Sequence, residues 1–413
     1  MRPLRILHMA DFHLGVTLGP MDPETRLNGR VLDYLDTLDA TLDYAEANKA
    51  DIIIVAGDSF HKSNPDPTYL REFGERVVRM GEIAPTVIVV GNHDIPGSIE
   101  RASSIDIFET LNVSGVTVGW QYAFHKIMTK AGLVQVATAP WPRRSEFLTH
   151  KEILNREQSR DIYKERVAKK ILSLADQIDP DYPAILTGHF TVTGSLYGSE
   201  LMLALEDAAE VDLSVLTRYA WDYVALGHIH MHQDINYGNS GPPVVYSGSL
   251  ERVDFGDEKD SKGFVWCEIG DDGTKYEFVE VDARPFITIK VDVVGESNPT
   301  QLVLSKIRKL DLEHAIVRII IHVSEYQSST IHSEAIRRAL EKRKAYYIQA
   351  VNLDVERQTV ARLDLDRPIE SYDNIGLLEM YFGEQGIKGK ERKVLMALAT
   401  EIMEEVHEEL YGS

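Results

Sequence analysis

Short apolar runs recur along the first 230 residues, and amphipathic stretches separate them. Five of these runs contain three to six mostly apolar residues, as expected for strands that are buried on both faces of a sheet. This alternation is typical of βαβ units, and it predicts an α/β fold with a largely parallel sheet covered by helices. The five predicted strands are Leu4 to Met9, Ile52 to Ala56, Val87 to Val90, Ile185 to Thr187 and Val224 to Leu226.

Apolar residues at helical spacing predict four helices between these strands, and further strands follow. Asp271 to Gly273 lies between two of the later strands and indicates a hairpin turn. The helices are predicted at Arg26 to Asn48, Pro67 to Met80, Ile99 to Leu111 and Asn155 to Gln177. The later strands are predicted at Val244 to Tyr246, Gly263 to Ile269 and Tyr276 to Val281.

A second pattern begins at Pro285, a proline that follows a completed strand. Because 413 residues exceed the size at which one hydrophobic core stops growing, more than one domain is expected. We assign residues 1–284 to the first domain, 285–370 to a small α/β domain and 371–413 to a helical hairpin. The small domain is predicted as strand Phe286 to Val293, helix Thr300 to Lys309, strand Ile316 to Val323, helix Ser333 to Arg343 and strand Tyr347 to Leu353.

Two apolar stripes mark the segment from Asp373 onward, and the glycine-rich, charged stretch Gly383 to Gly389 separates them. Each stripe must be buried, either on this chain or on a partner. The stripes consist of Leu377, Leu378, Tyr381 and Phe382, and of Leu395, Leu398, Ile402, Met403, Val406 and Leu410.

A formal net charge of −21 counts against nucleic-acid binding, because affinity for DNA comes largely from lysine and arginine. Positive charge is nevertheless clustered locally, on one predicted helix and after Pro142. A solvated helix face is the other interpretation of such a cluster. The basic residues are Arg337, Arg338, Lys342, Arg343 and Lys344, together with Arg143 and Arg144.

The single cysteine, Cys267, has no partner for an internal disulfide, which is typical of a reducing compartment. Its place in a predicted strand favours a buried thiol. No apolar stretch reaches the length of a signal peptide or a membrane span. We therefore expect a soluble protein of the cytoplasm or nucleoid that contacts no membrane.

Seven side chains of metal-binding types lie at the ends of the five predicted strands. Because a strand projects alternate residues to one side, Asp11 with His13, and His228 with His230, can each aim two ligands at one point. A lone strand-end histidine is more often structural, but five such clusters together favour a metal site. Two divalent ions about 3.5–4 Å apart can bridge a phosphate and activate a water. The candidate ligands are Asp11, His13, Asp58, Asn92, His189, His228 and His230, with Asp58 best placed to bridge.

The order of these motifs resembles the calcineurin-like metallophosphoesterase superfamily over roughly residues 4–282. The motifs are ADFH at 10–13, GDSFH at 57–61, GNHD at 91–94, TGHF at 187–190 and GHIH at 227–230. Three details resemble one branch, the meiotic-recombination nuclease and SbcD family of double-strand-break repair nuclease subunits. They are His61 after the GD motif, APWP at 139–142 and YSGSLERVDFGDEKDSKGF at 246–264.

The resemblance implies a role for each of these residues. It makes His93 the transition-state stabiliser or acid toward the leaving oxygen, with Asp94 orienting its ring, and it puts His61 near the scissile phosphate. It implies two divalent ions, with manganese as the activating metal. One ion would be held by Asp11, His13, Asp58 and His230, and the other by Asp58, Asn92, His189 and His228.

The resemblance also implies a function and an assembly. A member of this branch is a two-metal DNA nuclease, an exonuclease on duplex ends and an endonuclease on single strands or hairpins. Its fold is a two-sheet sandwich flanked by helices, with a DNA-engaging cap domain at 285–370. Its C-terminal helices grip the coiled-coil base of an ABC/SMC-type ATPase, which fits the absence of a Walker-type glycine loop from this sequence.

The branch is homodimeric through helices that follow the GD and GNHD motifs, although core packing explains the apolar residues there equally well. Two other functions stay open. One is a general metallophosphoesterase acting on small phosphodiesters or phosphoproteins, and the other is a non-catalytic binding scaffold, which would require missing ligands. The residues considered for the dimer surface are Leu70, Phe73, Val77, Ile105, Phe108 and Leu111.

Overall fold

The computed structural model describes residues 2–96, 102–154, 156–198, 210–218, 221–356, 374–384 and 386–411. The chain divides into two compact units. The first contains residues 1–291, 300–321 and 332–352, and the second contains 292–299, 322–331 and 353–413. The domain boundaries expected at 285 and 371 stay predictions. No helix among the described residues is long and apolar enough to cross a membrane.

The first sheet has six strands. Four run parallel: β1 (Leu4–Met9), β2 (Ile52–Val55), β3 (Thr86–Val89) and β4 (Val116–Gly119). Two antiparallel strands, β11 (Gly263–Gly270) and β12 (Gly273–Glu280), extend the sheet beyond β1 in the order β12-β11-β1-β2-β3-β4. The predicted hairpin turn lies between β11 and β12, where Gly270 pairs with Gly273.

The second sheet also has six strands, in the order β5-β6-β7-β8-β10-β9. Four are parallel neighbours: β6 (Gly132–Ala139), β7 (Ala184–His189), β8 (Tyr223–Gly227) and β10 (Val244–Tyr246). Antiparallel β5 (Ala123–Thr129) and β9 (Gln233–Asp234) form the two edges. The α/β prediction is confirmed. The parallel strands divide between two mixed sheets, as the resemblance implies, and do not form the one largely parallel sheet that the alternation alone predicts.

Alternate residues of the strands build two kinds of core. Leu4 and Ile6 of β1 pack with Ile185 and Tyr223 of the second sheet in one buried cluster. Leu7 and Met9, whose side chains lie on the opposite face of β1, pack against helices. Strand side chains alternate between the two faces of a sheet, and here both faces are covered. The central strands are therefore apolar at nearly every position.

Three helices pack against the outer face of the first sheet: α1 (Gly29–Ala47), α2 (Pro67–Ile83) and α3 (Asp106–Thr110). The Asn28 side chain accepts a hydrogen bond from the Arg30 N–H, so α1 begins three residues later than predicted. Asp66 caps α2, whose first residue is Pro67 as predicted. Part of the helix predicted at Ile99 to Leu111 lies outside the described residues.

The second sheet is covered by α4 (Arg144–Phe147), α5 (His150–Ile153), α6 (Arg156–Ala175) and α7 (Leu213–Thr217). Cys267 in β11 is a free, buried thiol, as expected. Four of the six residues considered for a dimer surface lie in this chain's own core. For these four, core packing explains the apolar side chains without a dimer. These are Phe73, Val77, Ile105 and Phe108, whereas Leu70 is half-buried and Leu111 is 67% exposed.

The third sheet has the strand order β13-β14-β15, formed by β13 (Phe286–Asp292), β14 (Ile316–Ser324) and β15 (Tyr347–Glu356). Helices α8 (Pro299–Ile307) and α9 (Ser333–Lys342) alternate with these strands along the chain. The chain ends in α10 (Asn374–Glu384) and α11 (Gly389–Tyr411), which contact each other. The predicted order of elements after Pro285 is thus observed.

Candidate metal centre

The seven candidate ligands all lie at, or just after, the carboxyl ends of parallel strands. Asp11 and His13 follow β1, Asp58 follows β2 and Asn92 follows β3. His189 ends β7 of the second sheet, and His228 and His230 follow β8. The two sheets therefore supply ligands from corresponding edges, and the structure brings the seven side chains together.

One group of ligand atoms surrounds the Nε2 atoms of His13 and His230, which are 2.9 Å apart. The ligand atoms of Asp11, His13 and His230 lie within 4.8 Å of one another. The two Asp11 oxygens each accept from the His228 N–H at 3.0 Å, which ties the ends of β1 and β8 together. This group matches three of the four ligands that the resemblance implies for one ion.

A second group surrounds the Asn92 side-chain oxygen. This Oδ1 lies 3.0 Å from His189 Nε2 and 3.2 Å from His228 Nδ1. His189 Nε2 is in turn 3.2 Å from Asp58 Oδ2, and His13 Nε2 approaches the same oxygen to 3.7 Å. Asp58 thus lies between the two groups, and its bridging of two ions stays a prediction.

Four candidate ligands have left-handed backbone conformations, with φ of 55° at Asp11, 45° at His13, 52° at Asp58 and 97° at His228. A non-glycine residue in this region costs on the order of 1–3 kcal/mol, and such strain concentrates at functional sites. The loops are held by backbone pairing, because the Asp11 and His13 N–H groups donate to the carbonyls of Gly57 and Asp58 at 3.0 Å. The candidate ligands themselves have this strained backbone conformation. The sequence did not indicate the strain.

The glycines before the ligands allow neighbouring atoms to approach the backbone closely, and some of them also allow a sharp turn. Gly57 has φ of 99°, and a Cβ there would lie 2.2 Å from His189 Nδ1. Gly91 does not have positive φ, but a Cβ there would lie 2.1 Å from Asp58 Oδ1 and 2.4 Å from its backbone nitrogen. At Gly91 the absence of a side chain is therefore required by close approach rather than by backbone geometry.

Buried charges shift the acidities of the ligands. Burial opposes ionisation of Asp58, but the neighbouring His189 and His13 outweigh it and hold the pKa of this carboxyl well below its usual range. Burial lowers the pKa of His189, yet Asp58 and Asp11 prevail and raise it to about 9. Burial raises the pKa of Asp11 to about 6. A metal that binds His189 must displace its proton, so metal binding is coupled to proton release.

The donor set fits two divalent cations. It combines carboxylate oxygens, one amide oxygen and imidazole nitrogens, with no thiolate, which suits manganese, iron or zinc in catalytic sites. Two imidazole Nε2 atoms facing each other at 2.9 Å beside the buried Asp11 and Asp58 are the arrangement that a shared cation stabilises. The residues present therefore fit a dinuclear centre, whose metal identity the side chains leave open.

His93 and His61 lie at the rim of this centre. The His93 ring packs 4.7 Å from the His13 ring, and the ligand atoms of His13, His61 and His93 lie within 4.8 Å of one another. The His93 Nδ1 lies 2.9 Å from the carbonyl oxygen of His61, and the His93 backbone N–H donates to Asp58 Oδ1 at 2.8 Å. Since a carbonyl oxygen only accepts, Nδ1 must carry a proton here.

Asp94 was expected to orient the His93 ring, but the structure gives Nδ1 the His61 carbonyl as its acceptor. The buried Asp94 carboxylate instead accepts from the backbone N–H groups of Gly91, Phe60 and Ser59 at 3.0, 3.1 and 3.3 Å. It thereby joins the loops that carry Asp58 and Asn92. These contacts hold the two loops, and therefore the two candidate ligands, in position.

Two contacts to the ligands were not foreseen from the sequence. The centroids of the Trp141 and His228 rings are 5.0 Å apart, and the Trp141 backbone N–H donates to the Val90 carbonyl at 3.1 Å. The buried Asp257 carboxylate lies 3.4 Å from His230 Nδ1. Both residues belong to segments, 139–142 and 246–264, that the sequence had singled out without a role.

Comparison with known proteins gives consistent results. The sequence profile of the calcineurin-like phosphoesterase family matches residues 4–232. The chain is 28% identical over 284 residues to the SbcD subunit of the nuclease SbcCD from Bacillus subtilis, a match that covers 64% of this chain and 69% of that protein.

Two solved structures are similar to this chain. A dimetal phosphatase from Danio rerio has a TM-score of 0.45 at 13% identity, covering 67% of this chain and 96% of that one. A purple acid phosphatase from yellow lupin seeds has a TM-score of 0.40 at 13% identity, covering 67% and 51%. The family profile spans more than half of this chain and includes all seven candidate ligands, so the chain belongs to the calcineurin-like phosphoesterase family.

Proposed function

We propose that this chain is a manganese-dependent, two-metal DNA nuclease of double-strand-break repair. It acts as an exonuclease on duplex ends and as an endonuclease on single strands and hairpins. One observation carries the proposal: seven candidate metal ligands converge in a chain that is 28% identical to the SbcD subunit of a nuclease. Asp11, His13, Asp58 and His230 would hold one ion, and Asp58, Asn92, His189 and His228 the other.

Bound ions would polarise the scissile phosphate and activate the attacking water. His93 then supplies acid catalysis. Its Nδ1 proton is held by the His61 carbonyl, so in the doubly protonated ring the Nε2–H is left to donate to the leaving oxygen. The His61 and His93 rings stack with their centroids 5.7 Å apart, which supports the proposal that His61 lies near the scissile phosphate.

DNA engagement by residues 285–370 is part of the proposal. Arg338 and Lys342 of α9 are exposed, whereas Arg343 donates to the Leu310 carbonyl and Lys344 pairs with Glu313 at 2.7 Å. Exposed cations contribute to DNA affinity in a salt-dependent way. We expect Arg338→Ala with Lys342→Ala to weaken DNA binding without changing the two-metal centre.

The C-terminal helices are proposed to bind the coiled coil of an ABC/SMC-type ATPase. Val394, Leu398 and Ile402 of α11 are 61%, 53% and 52% exposed, and Tyr381 of α10 is 37% exposed. The side chains of Val406 and Leu410 lie outside the described residues. An exposed apolar stripe on a helix is typical of helix-in-groove recognition, so Leu398→Asp is expected to abolish capture of the ATPase coiled coil.

A homodimer is proposed on the resemblance, with Leu111 as the exposed member of the residues considered for its surface. Val78 of α2, which follows Val77 in the sequence, is also exposed, at 46%. Light scattering at micromolar concentration should show twice the 46.6 kDa chain mass. A species of only the chain mass would contradict dimerisation.

General phosphoesterase activity on small phosphodiesters or phosphoproteins is the second candidate, and the net charge of −21 favours it. A non-catalytic scaffold is disfavoured, because no candidate ligand is missing. The two catalytic functions separate in one experiment. Purified chain with manganese is incubated with linear duplex, single-stranded and hairpin DNA, and with p-nitrophenyl phosphate and bis-p-nitrophenyl phosphate.

Nucleotide release from DNA that stops with EDTA and in Asp58→Ala would support the nuclease. Turnover of the small esters with DNA left intact, even after the ATPase is added, would contradict it and favour the general phosphoesterase. A chain that turns over neither substrate would leave only the scaffold.

A further inference from the structure

A short 3₁₀ turn, Phe255–Lys259, lies beside the candidate ligand His230. Its buried Asp257 places Oδ2 3.4 Å from His230 Nδ1. The same oxygen accepts from the Val253 N–H at 2.9 Å and lies 3.3 Å from Lys262 Nζ. The carboxylate is therefore fixed by its own segment while it faces the imidazole.

This contact selects one tautomer of His230. A carboxylate beside Nδ1 favours a proton on that nitrogen, which leaves the Nε2 lone pair available to a metal. Nε2 is the atom that lies 2.9 Å from His13 Nε2, in the first group of ligand atoms. Asp257 thus orients the ring so that its metal-binding nitrogen faces the centre.

The same segment also holds the backbone of His230. Lys262 is fully buried, and its Nζ donates to the His230 carbonyl at 3.0 Å and to Ser249 Oγ at 3.0 Å. The Ser249 N–H donates to the same carbonyl at 3.1 Å. Ring and main chain of this one ligand are therefore both anchored by residues 249–262.

The opposite side of the turn is attached to the third sheet. Phe255 packs on Phe286 of β13, with ring centroids 4.9 Å apart, and the Arg318 guanidinium of β14 lies 4.2 Å above the Phe255 ring. Glu258 accepts from the Thr288 backbone N–H at 2.9 Å and from its hydroxyl at 2.5 Å. In the sequence, Asp257 lies between Phe255 and Glu258, the two residues of the turn that contact the third sheet.

We propose that Phe255–Lys259 is a positioning element that couples the third sheet to the metal centre. Asp257 holds His230 in its metal-binding orientation. Because Phe255 and Glu258 contact β13, a movement of β13 also moves the Asp257 carboxylate. The inference rests on the proposed two-metal centre and adds its regulation: a ligand that displaces β13 changes the affinity of the ion at His230 while leaving the other ion bound.

The first test measures manganese binding to the whole chain by calorimetry and by electron paramagnetic resonance, with no DNA present. Asp257→Asn is expected to weaken one of the two ions by about 10- to 100-fold. Asp254→Asn is the matched control, because Asp254 caps the same turn by accepting from the Gly256 N–H at 2.6 Å, a contact that an asparagine oxygen can keep. It is expected to stay within about twofold.

The second test concerns attachment to the sheet. Glu258→Ala is expected to weaken the same ion by about 2- to 30-fold. Glu280→Ala is its control. Glu280, in β12, likewise accepts from a side-chain hydroxyl, that of Ser261 at 2.9 Å, but it does not contact the third sheet through this bond. A Glu258→Ala chain that binds both ions normally would overturn the coupling.

Two further results bear on the positioning role. In the unsubstituted, metal-free chain, nitrogen NMR should show the His230 proton on Nδ1, a readout that requires no variant to fold. A proton on Nε2, or equal losses in Asp257→Asn and Asp254→Asn, would overturn the role of Asp257. An unsubstituted chain that binds no manganese would instead reject the two-metal function itself.

Discussion

Gly91→Ala is the substitution with the most sharply defined consequence. The added Cβ would lie 2.4 Å from the Asp58 backbone nitrogen and 2.1 Å from its Oδ1. Ordinary contact requires about 3.5 Å, so the main chain of Asp58 would have to move by about 1 Å. The Asp58 side chain cannot absorb this movement alone, because the backbone atom is also too close.

A displacement of about 1 Å at reacting groups costs on the order of 100-fold in rate, and overpacking of this kind destabilises a fold by about 1–3 kcal/mol. We therefore expect Gly91→Ala to fold, to lose high-affinity binding of both ions, and to lose phosphodiester hydrolysis. Titration calorimetry with manganese measures the first loss. Gly270→Ala is the control, because its new Cβ would meet only Pro3 Cβ at 3.6 Å. Binding of two ions by Gly91→Ala with affinity equal to that of Gly270→Ala would refute the bridging position of Asp58.

Three further substitutions test other parts of the account. Asp58→Ala should lose both ions in metal analysis, and retention of both would contradict its place between the two groups. His93→Ala should keep both ions and DNA affinity but lower kcat by about 10²–10⁴-fold, since it removes a proton donor; loss of metal would contradict this role. Arg30→Met should cost about 3–5 kcal/mol of unfolding free energy in urea, because buried Arg30 pairs with Glu251 at 2.8 Å and Asp33 at 2.9 Å. Arg71→Met, at an exposed pair, should lower the free energy of unfolding far less, and equal losses would count against the buried pairing.

The sequence predicted the central strands of both sheets except β6, and all seven candidate ligands, for a physical reason. Strands buried on both faces are apolar throughout, so polar residues such as Asp58 and His189 stand out where they end. Two of the edge strands lack this contrast. The first two residues of β4 are only half-buried, and β5 is partly exposed along its length, and neither strand was predicted. The division of the parallel strands between two sheets also depends on pairings that no local pattern contains.

The unforeseen parts of the site share another property: they depend on backbone atoms or on distant partners. The acceptor for His93 Nδ1 is the main-chain oxygen of His61, which the identity of a side chain does not indicate. Arg30 is fully buried although arginine is usually exposed, and its partner Glu251 lies in a remote loop. Asp257 and Lys262 were within a stretch already singled out, but only the fold shows that they hold His230.

The central claim is that these seven side chains hold two metal ions, with Asp58 between them. A crystal of the chain grown with manganese, with anomalous scattering measured at the manganese edge, tests it most directly. Two peaks about 3.5–4 Å apart are expected, one beside His13 and His230 and the other beside Asn92, His189 and His228. A single peak, or peaks away from Asp58, would contradict it.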